Sequence, residues 1–454
     1  MTPNEEPRMS SPYRNLHDNY VPNHWNWREL VFYAVLAGCP FLLGVIVYVS
    51  LVDKPSHELT DLGDTDRDNI QRQWDPTDDE HRRRCFANDQ CRMVLAESIP
   101  LYMKYDDNAT FGLPMYKVWK DLLAKATNSV DVASFYWTLT GPDIRVNSST
   151  DQLGRDILEV FKEMPSRNVS VRVAVSSPSV AHDSTDLDVL QTKGKAPFHG
   201  VQVRMVNFGR LTKGILHTKL WVVDMKHIYI GSANMDWRAL TQVKELGAVI
   251  YDCPLLAQDL QKIFQSYWVM GDVNASIPDP WPPSFDTSIN RENPLLVNVS
   301  GVASRIYISG SPPSFCPNGR TRDLDAILSV IKEAEQFIDV AVMEYFPTSR
   351  FTKPQSYWPV LDDALKKSAF ERQVPIRLLS PGTSNWSADY FNTTAGIGLV
   401  VSQDSTSPAS MSRTLREQMR VVFERDWNSQ FAVKLSNLSH NPDCTFAGLA
   451  SSNL

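Results

Sequence analysis

The chain has little positive charge, little cysteine and little histidine. Its 45 Lys and Arg residues face 52 Asp and Glu, and the formal net charge of −7 excludes a protein that holds a polyanion by broad phosphate neutralisation. Six cysteines in 454 residues exclude a small disulfide-dense fold. With 43% hydrophobic and 21% charged residues, the chain is neither a disordered tail nor a fibre. It is long enough for two or three packed units.

One long uncharged run lies near the N-terminus. No Asp, Glu, Lys or Arg occurs in residues 30–52, and a helix of that length reaches about 34 Å, enough to cross a bilayer. The run is longer than the apolar region of a cleaved signal peptide and more evenly apolar than a core helix. It predicts one transmembrane signal anchor, with a cytosolic tail at 1–29 and a charged, solvated stalk at 53–92.

Glycosylation sequons lie on one side of this run only. Eight Asn-X-Ser/Thr triplets follow it, as expected if the C-terminal part enters the secretory lumen. Seven are candidate glycosylation sites: Asn108, Asn147, Asn168, Asn274, Asn298, Asn392 and Asn437. The run and the sequons together predict a single-pass type II membrane protein.

The rest of the chain shows an internal repeat. Ala126–Thr140 and Ala334–Ser349 both pass from a helix end into an apolar strand, and Arg167–Val175 matches Arg372–Ser380. Alternating strands and helices in two copies predict an α/β fold of two related lobes, each a mixed sheet flanked by helices. The predicted bounds are 93–276 for the first lobe, 277–300 for a proline-rich linker, 301–440 for the second lobe and 441–454 for a tail.

One motif of the first copy carries chemistry. Leu216-His-Thr-Lys-Leu-Trp-Val-Val-Asp224 is an alternating strand, in which His217 and Lys219 project from the same face. Gly231-Ser-Ala-Asn234 follows the next strand. The spacing His-x-Lys-x₄-Asp-x₆-Gly-Ser-x-Asn resembles the signature of the phospholipase D superfamily, which joins a nucleophile, a cation and an amide in one hairpin.

Further strings extend this resemblance over most of the part beyond the stalk. They are Val94–Pro100, Ser134–Trp137, Ser232–Trp237, Gln242–Gly247 and Gly382–Ser387. They resemble the type II membrane branch of the superfamily, family members 3 and 4, and Gly141–Ile144, Val342–Pro347 and Tyr357–Leu361 are more similar to member 4. The resemblance implies a 5′-exonuclease on single-stranded DNA and RNA that passes through the endoplasmic reticulum and Golgi to endosomes and lysosomes. It also implies a possible activity on lysosomal phospholipids.

The resemblance assigns roles to individual residues. In the family, one neutral imidazole attacks a phosphodiester to give a phosphohistidine, and a histidine of the other lobe protonates the leaving oxygen and later activates water. Lysine and asparagine stabilise charge on the phosphate oxygens, so neither a metal nor a cofactor is expected. The resemblance assigns His217 as nucleophile or acid/base, and Lys219 and Asp224 complete the catalytic set. The phosphate ligands are Lys219, Asn234 and Asn385. The supporting residues are Ser232, Glu245 and Ser384.

The second copy departs from the family pattern. About 54 residues that lie between Arg172 and Gly231 in the first copy have no equivalent between Arg377 and Gly382. The second His-x-Lys belongs in that stretch, and none of the nine histidines falls between His227 and His440. The break predicts a truncated second lobe with impaired catalysis. Its clean edges favour a skipped exon or an error of gene modelling.

The cysteines give one favoured pair. Five of the six lie beyond the membrane run, an odd number that cannot all pair within one chain. Cys91 with Cys253 is favoured because Cys91 precedes the first strand and Cys253 follows the motif hairpin. If the family pairs Cys444 with a cysteine of the missing stretch, Cys444 has no partner here.

Three functions remain open from the sequence. The first is a nucleic-acid phosphodiesterase, completed by a homodimer if two chains each lend one motif. The second is a non-catalytic protein that binds phosphate through Lys219 and Asn234 and stacks bases on Phe135, Tyr136 or Trp137, although core packing explains these aromatic residues more readily. The third is a phospholipid phosphodiesterase, because the reacting diester group is the same.

Overall fold

The computed structural model of the chain describes residues 90–177, 184–193, 201–380, 385–403 and 414–434. All of these belong to one unit, Thr77–Leu454. The predicted cytosolic tail, membrane anchor, C-terminal tail and nearly all of the stalk lie outside the described residues. Within the described ranges, no helix is long and apolar enough to cross a membrane.

Alternating and continuous apolar runs form a mixed α/β architecture. The strands are β1 (Gln90–Ser98), β2 (Leu113–Pro114), β3 (Ser129–Ser134), β4 (Trp137–Thr138), β5 (Ser170–Ser176), β6 (Val201–Val206), β7 (Leu220–Val223), β8 (His227–Gly231), β9 (Met235–Asp236), β10 (Glu245–Tyr251), β11 (Leu295–Val299), β12 (Val302–Ser311), β13 (Ile338–Ala341), β14 (Glu344–Tyr345), β15 (Ile376–Leu379), β16 (Asn385–Trp386) and β17 (Gly396–Gln403). Most of them join one sheet in the order β17-β12-β11-β1-β10-β8-β7-β3-β5-β6, with β2 beside β1. Short parallel pairs form between β13 and β15, β14 and β16, and β4 and β9.

The helices cover both faces of this sheet. They are α1 (Met115–Lys125), α2 (Gln152–Glu163), α3 (Thr185–Lys193), α4 (Phe208–Leu211), α5 (Trp237–Thr241), α6 (Pro254–Met270), α7 (Asp323–Glu333), α8 (Val360–Arg372), α9 (Ala388–Asn392) and α10 (Leu415–Trp427). Successive residues of β7 point to opposite cores: Trp221 joins α1 and α2, whereas Val222 joins α6. The strand that follows the His-x-Lys motif is therefore buried on both faces.

Two regions of the chain share a pattern of strand pairing. In residues 93–276, the first region, β1 pairs antiparallel with β10, β3 pairs parallel with β5, and β4 pairs parallel with β9. In residues 301–434, the second region, β12 pairs antiparallel with β17, β13 parallel with β15, and β14 parallel with β16. Among the described residues, the second region has no strands that correspond to β6, β7 and β8.

The predicted disulfide is present. Cys91 and Cys253 are bonded, with their Cα atoms 4.9 Å apart, and join the start of β1 to the start of α6. The Cys316 thiol is free and donates to the Gly310 carbonyl oxygen at 3.1 Å. The sequence-based pairing of Cys91 with Cys253 is confirmed.

The predicted glycosylation asparagines differ in exposure. Exposed residues are Asn108, Asn147, Asn168, Asn274 and Asn392. Asn298 is half-buried in β11, which occupies the end of the predicted linker, and its side-chain oxygen accepts from the Gly301 amide at 2.8 Å. Asn437 lies outside the described residues. Glycan attachment at all seven sites stays a prediction.

Candidate functional site

His217 lies where the two regions meet. The segment just before β7 pairs with the residue that precedes β17: the His217 amide donates to the Ala395 oxygen at 3.1 Å, and the Ala395 amide donates to the Ile215 oxygen at 2.9 Å. Gly214 permits this approach, because a Cβ there would lie 2.0 Å from the Thr393 oxygen. The motif of the first region is thereby fixed against the second region.

The His217 imidazole is held between aromatic rings of both regions. Its ring centroid lies 5.2 Å from that of Phe135, which follows β3, and 5.3 Å from that of Tyr390 on α9. The histidine side chain is half-buried. Its backbone oxygen accepts from the Lys219 ammonium at 2.6 Å. These contacts orient the imidazole and keep the lysine beside it.

Lys219 and Glu245 form a buried pair of titratable groups. Lys219 is 6% exposed, and desolvation lowers the pKa of its ammonium to about 7, although the charge of Glu245 opposes this shift. Desolvation raises the pKa of Glu245 to about 7, against the hydrogen bond that the Ser232 hydroxyl donates at 2.5 Å. Protonation of this pair therefore changes the charge of the site near neutral pH.

The turn after β8 supplies the remaining polar groups. The Ser232 hydroxyl accepts from the Leu246 amide at 3.0 Å and fixes the turn to β10. Asn234 is 4% exposed, and its side-chain oxygen has no hydrogen-bond partner within the described part of the chain. Gly231 is required in this turn because a Cβ would lie 2.3 Å from the Tyr229 hydroxyl. Within the described residues, this turn therefore holds a buried amide whose oxygen accepts no hydrogen bond from the protein.

Asn385 reaches the site through Tyr390. The asparagine lies in β16, beside Glu344 of β14, and is half-buried. Its side chain lies against the Tyr390 hydroxyl, whose pKa burial raises to about 12. The structure therefore brings His217 close to Lys219 and to Tyr390, and connects Asn385 to the same site. Ser384 lies outside the described residues.

Comparison with known proteins decides the family. A family model described as "PLD3/4, PLD-like domain" matches residues 106–397. The chain belongs to the PLD3/4 family. The chain is 44% identical over 437 residues to the human protein named "5'-3' exonuclease PLD4", covering 83% of this chain and 84% of the relative. It is 40% identical over 416 residues to the Xenopus laevis protein named "5'-3' exonuclease PLD3", covering 78% and 83%.

The sequence-based recognition is confirmed by these relatives. Among solved structures, the chain is similar to the phosphatidylserine synthase of Haemophilus influenzae, with 12% identity, a TM-score of 0.41, and coverage of 76% of this chain and 90% of that one. The family assignment depends on the sequence relatives and not on this low structural score. Members of this family are phosphodiesterases, so the site around His217 is the candidate active site of this chain.

A catalytic role of Asp224 stays a prediction, and the structure shows the local contacts of its carboxylate. Asp224 lies at the far end of β7 from His217, in the turn that leads to β8. Its carboxylate accepts hydrogen bonds from the amides of Thr127, Asn128 and Ser129, and from the Thr127 hydroxyl, at 2.7–2.8 Å. Burial raises its pKa, but these bonds outweigh burial and lower it. Asp224 anchors the turn between α1 and β3.

The other histidine of the described residues also has a structural role. His227 lies at the start of β8, is 7% exposed, and its Nδ1 accepts from the Asp252 amide at 3.0 Å. Val223 pairs with His227 in the hairpin, which places this imidazole beside the Asp224 turn. Within the described part of the chain, His217 is therefore the one imidazole at the candidate active site.

The structure also separates the aromatic residues that the sequence grouped together. Tyr136 and Trp137 are 3% and 0% exposed and belong to the packed interior, as the core interpretation predicts. Phe135 is half-buried and contacts His217. Sequence reasoning missed Tyr390, which follows the Asn385 turn by five residues. The repeat located that turn but gave no signal for the ring contact with His217.

Proposed function

We propose that this chain binds a phosphodiester of single-stranded nucleic acid at the site around His217 and hydrolyses it slowly. The observation that carries the proposal is a half-buried His217 beside the buried side chain of Lys219, with the buried Asn234 in the following turn, in a member of the PLD3/4 family. The two relatives described above are named as 5'-3' exonucleases. For this chain we propose the same 5'-to-3' direction of digestion and a nucleic-acid substrate.

The chemistry follows from the groups at the site. The His217 imidazole attacks phosphorus, the bond from phosphorus to the leaving oxygen breaks, and a phosphohistidine results. Protonated Lys219 and the Asn234 side chain stabilise negative charge on the non-bridging oxygens. Water then attacks the phosphohistidine and releases the phosphate product. The first step is fastest when a second group protonates the leaving oxygen, and the second step is fastest when that group then accepts a proton from the attacking water.

No histidine occurs between His227 and His440, so the second region supplies no partner imidazole from that stretch, and we attribute slow hydrolysis to this difference. The paired strands of the two regions support a duplication of two lobes, of which the second is truncated between β15 and β16. The alignment with the human relative spans 437 positions although only 83% of this 454-residue chain takes part.

A non-catalytic phosphate-binding role is the second candidate. It is favoured by the single imidazole found at the site within the described residues. A phospholipid diester presents the same reacting group, so competition by phosphatidylglycerol vesicles against oligonucleotide distinguishes a lipid substrate from nucleic acid.

The cellular setting is part of the proposal. The N-terminal run anchors the chain as a type II protein, and the part beyond residue 53 faces the lumen on its way through the endoplasmic reticulum and Golgi to endosomes and lysosomes. The asparagines of several sequons, Asn108 among them, are exposed, which supports this orientation because a glycan can be attached there. Glycosidase treatment is expected to increase electrophoretic mobility, and unchanged mobility would contradict the topology. Sedimentation of the full chain tests whether it forms a homodimer.

Binding measurements test the proposed site directly. The detergent-solubilised full chain is titrated with a 3′-labelled single-stranded oligonucleotide and followed by fluorescence anisotropy. Lys219→Ala is expected to weaken binding at least about tenfold, because hydrogen bonds to a charged partner contribute about 1.5–3 kcal/mol. Lys367→Ala, which removes an exposed lysine of α8, is the matched control. If Lys219→Ala and Lys367→Ala weaken binding equally, binding depends on the overall charge of the protein and the proposed site is wrong.

A further inference from the structure

The residue between His217 and Lys219 faces away from the candidate active site. His217 and Lys219 both lie against Phe135: the imidazole and phenyl centroids are 5.2 Å apart, and the Lys219 Nζ lies 5.6 Å from the phenyl centroid. Thr218 is 2% exposed, and its hydroxyl is hydrogen-bonded to the Tyr267 hydroxyl of α6 at 3.0 Å. Because the three residues are consecutive, a contact that fixes Thr218 also constrains the groups on either side of it.

The Tyr267 ring is held by both regions of the chain. It is 1% exposed, and its centroid lies 5.9 Å from that of Phe208 in α4 and 6.0 Å from that of Phe315, which follows β12 in the second region. Burial raises the pKa of the Tyr267 hydroxyl well above its usual range, so the hydroxyl stays protonated at physiological pH. Thr218 is therefore bonded to a hydroxyl that has a fixed position.

The segment that carries the motif needs contacts of this kind. β7 begins at Leu220, so residues 215–219 are held by individual contacts rather than by a continuous strand ladder. The Leu216 amide donates to the Ser176 hydroxyl at 3.3 Å, and the next amide donates to the Ala395 oxygen. Both bonds lie before Thr218. The bond from Thr218 to Tyr267 adds a hold between the imidazole and the ammonium.

We infer that Tyr267 and Thr218 are positioning residues for the reaction at His217. Their hydrogen bond orients the imidazole relative to the Lys219 ammonium, and so sets the line along which the imidazole nitrogen approaches phosphorus. The inference rests on the proposed function. A hydrogen bond is directional and fixes its partners in one arrangement, whereas an apolar contact such as that of Leu216 with the same core does not.

The effect should fall on the reacting geometry more than on affinity. The Lys219 ammonium is a point charge on a flexible stem, so it can follow a bound phosphate through a small displacement of the backbone. The imidazole nitrogen must instead lie in line with the bond that breaks, and a displacement of about 1 Å can lower a rate about 10²-fold. Loss of the hydrogen bond should therefore weaken binding of the transition state more than binding of the substrate.

The test compares a substrate with a transition-state analogue on the detergent-solubilised full chain. A 3′-labelled single-stranded oligonucleotide reports substrate binding by fluorescence anisotropy. Orthovanadate, which becomes five-coordinate like the attacked phosphate when an imidazole nitrogen binds it, is measured by displacement of that oligonucleotide. Tyr267→Phe is expected to weaken vanadate binding about tenfold and to change oligonucleotide affinity by less than about twofold.

Two further variants separate positioning from stability. Tyr251→Phe removes a buried hydroxyl at the end of β10 that is far from Glu245, and it should change neither probe. The double variant Tyr267→Phe with Thr218→Val leaves neither hydroxyl unpaired, so its stability in urea should return towards that of the unaltered chain. Its vanadate affinity should nevertheless stay about tenfold weakened, because the directional bond is still absent.

Each contrary result has a definite meaning. If Tyr267→Phe weakens neither probe, or both equally, the two residues do not position the imidazole and the inference is wrong. It is also wrong if Tyr251→Phe has the same effect, or if the double variant regains vanadate affinity together with stability. If His217→Ala leaves vanadate binding unchanged, attack by His217 and with it the proposed function fail first.

Discussion

The same ion pair occurs in both regions, in very different surroundings. Arg172 on β5 binds Asp131 on β3, and Arg377 on β15 binds Asp339 on β13, each through Nε at 2.7 Å. Each guanidinium also stacks on aromatic rings of the helix that follows: Phe264 and Trp268 in α6, and Phe423 and Trp427 in α10. A strand pair with its helix can therefore be held without the hairpin that carries the histidine.

The hairpin of β7 and β8 buries the neighbouring strands of the first region. In the first region β7 pairs with β3, and Val132 and Val173 are 0% exposed. In the second region, within the described residues, β13 pairs with β15 alone, and Leu378 is 37% exposed. The comparison indicates that the second region has the same ion pair as the first, on strands that are less buried.

The largest expected difference between the regions is in core truncation. Trp119 is 0% exposed and its ring lies 5.0 Å from that of Trp221, so Trp119→Ala should reduce the free energy of unfolding by about 3–5 kcal/mol. Trp386 is 9% exposed and lies in the smaller core of the second region. Trp386→Ala should therefore reduce the free energy of unfolding by about half as much. Urea unfolding measures both. Equal losses would show that the second core is as well packed as the first.

The matched ion pairs should differ less. Arg172→Met leaves Asp131, 4% exposed, without its cation, and should cost about 2 kcal/mol after allowance for the partly exposed arginine. Arg377→Met should cost about 1 kcal/mol, because the side chains of Arg377 and Asp339 are 31% and 11% exposed. The same urea titrations compare them. A larger loss of stability for Arg377→Met than for Arg172→Met would contradict the prediction that the more buried ion pair contributes more.

The remaining expected effect is on binding rather than stability: a pH dependence confined to the first region's site. Below about pH 7 Lys219 is cationic and Glu245 is protonated, whereas above it Lys219 becomes neutral and Glu245 anionic. Oligonucleotide affinity should therefore rise about tenfold from pH 8 to pH 5.5 at fixed salt. Glu245→Gln removes one of the two titrations and should flatten this dependence. If the affinity of Glu245→Gln depends on pH as strongly as that of the unchanged chain, Lys219 and Glu245 do not cause the dependence.

The spacing of the motif predicted the centre of the site, and the positions of two cysteines predicted the disulfide. The sequence placed His217 and Lys219 on one face of a strand; in the structure β7 begins at Leu220, and the two residues are joined by the bond from the Lys219 ammonium to the His217 backbone oxygen. The contact between His217 and Tyr390 depends on the pairing of residue 216 with residue 395, which no local pattern contains. The contacts of Asp224 with the amides of residues 127–129 likewise depend on the pairing of β7 with β3, and its catalytic role stays a prediction.

The missing imidazole is the central claim, and a rate comparison tests it most directly. The full chain is assayed on a single-stranded oligonucleotide beside a version in which the corresponding segment of the human relative is inserted between Ser380 and Gly382. The chain as it stands should be at least about 10³-fold slower, because a positioned acid/base contributes on the order of 10²–10⁴ and the restored strands also complete the sheet. Rates within tenfold of each other, with His217→Ala abolishing turnover in both, would show that another group already completes the site and would contradict the account.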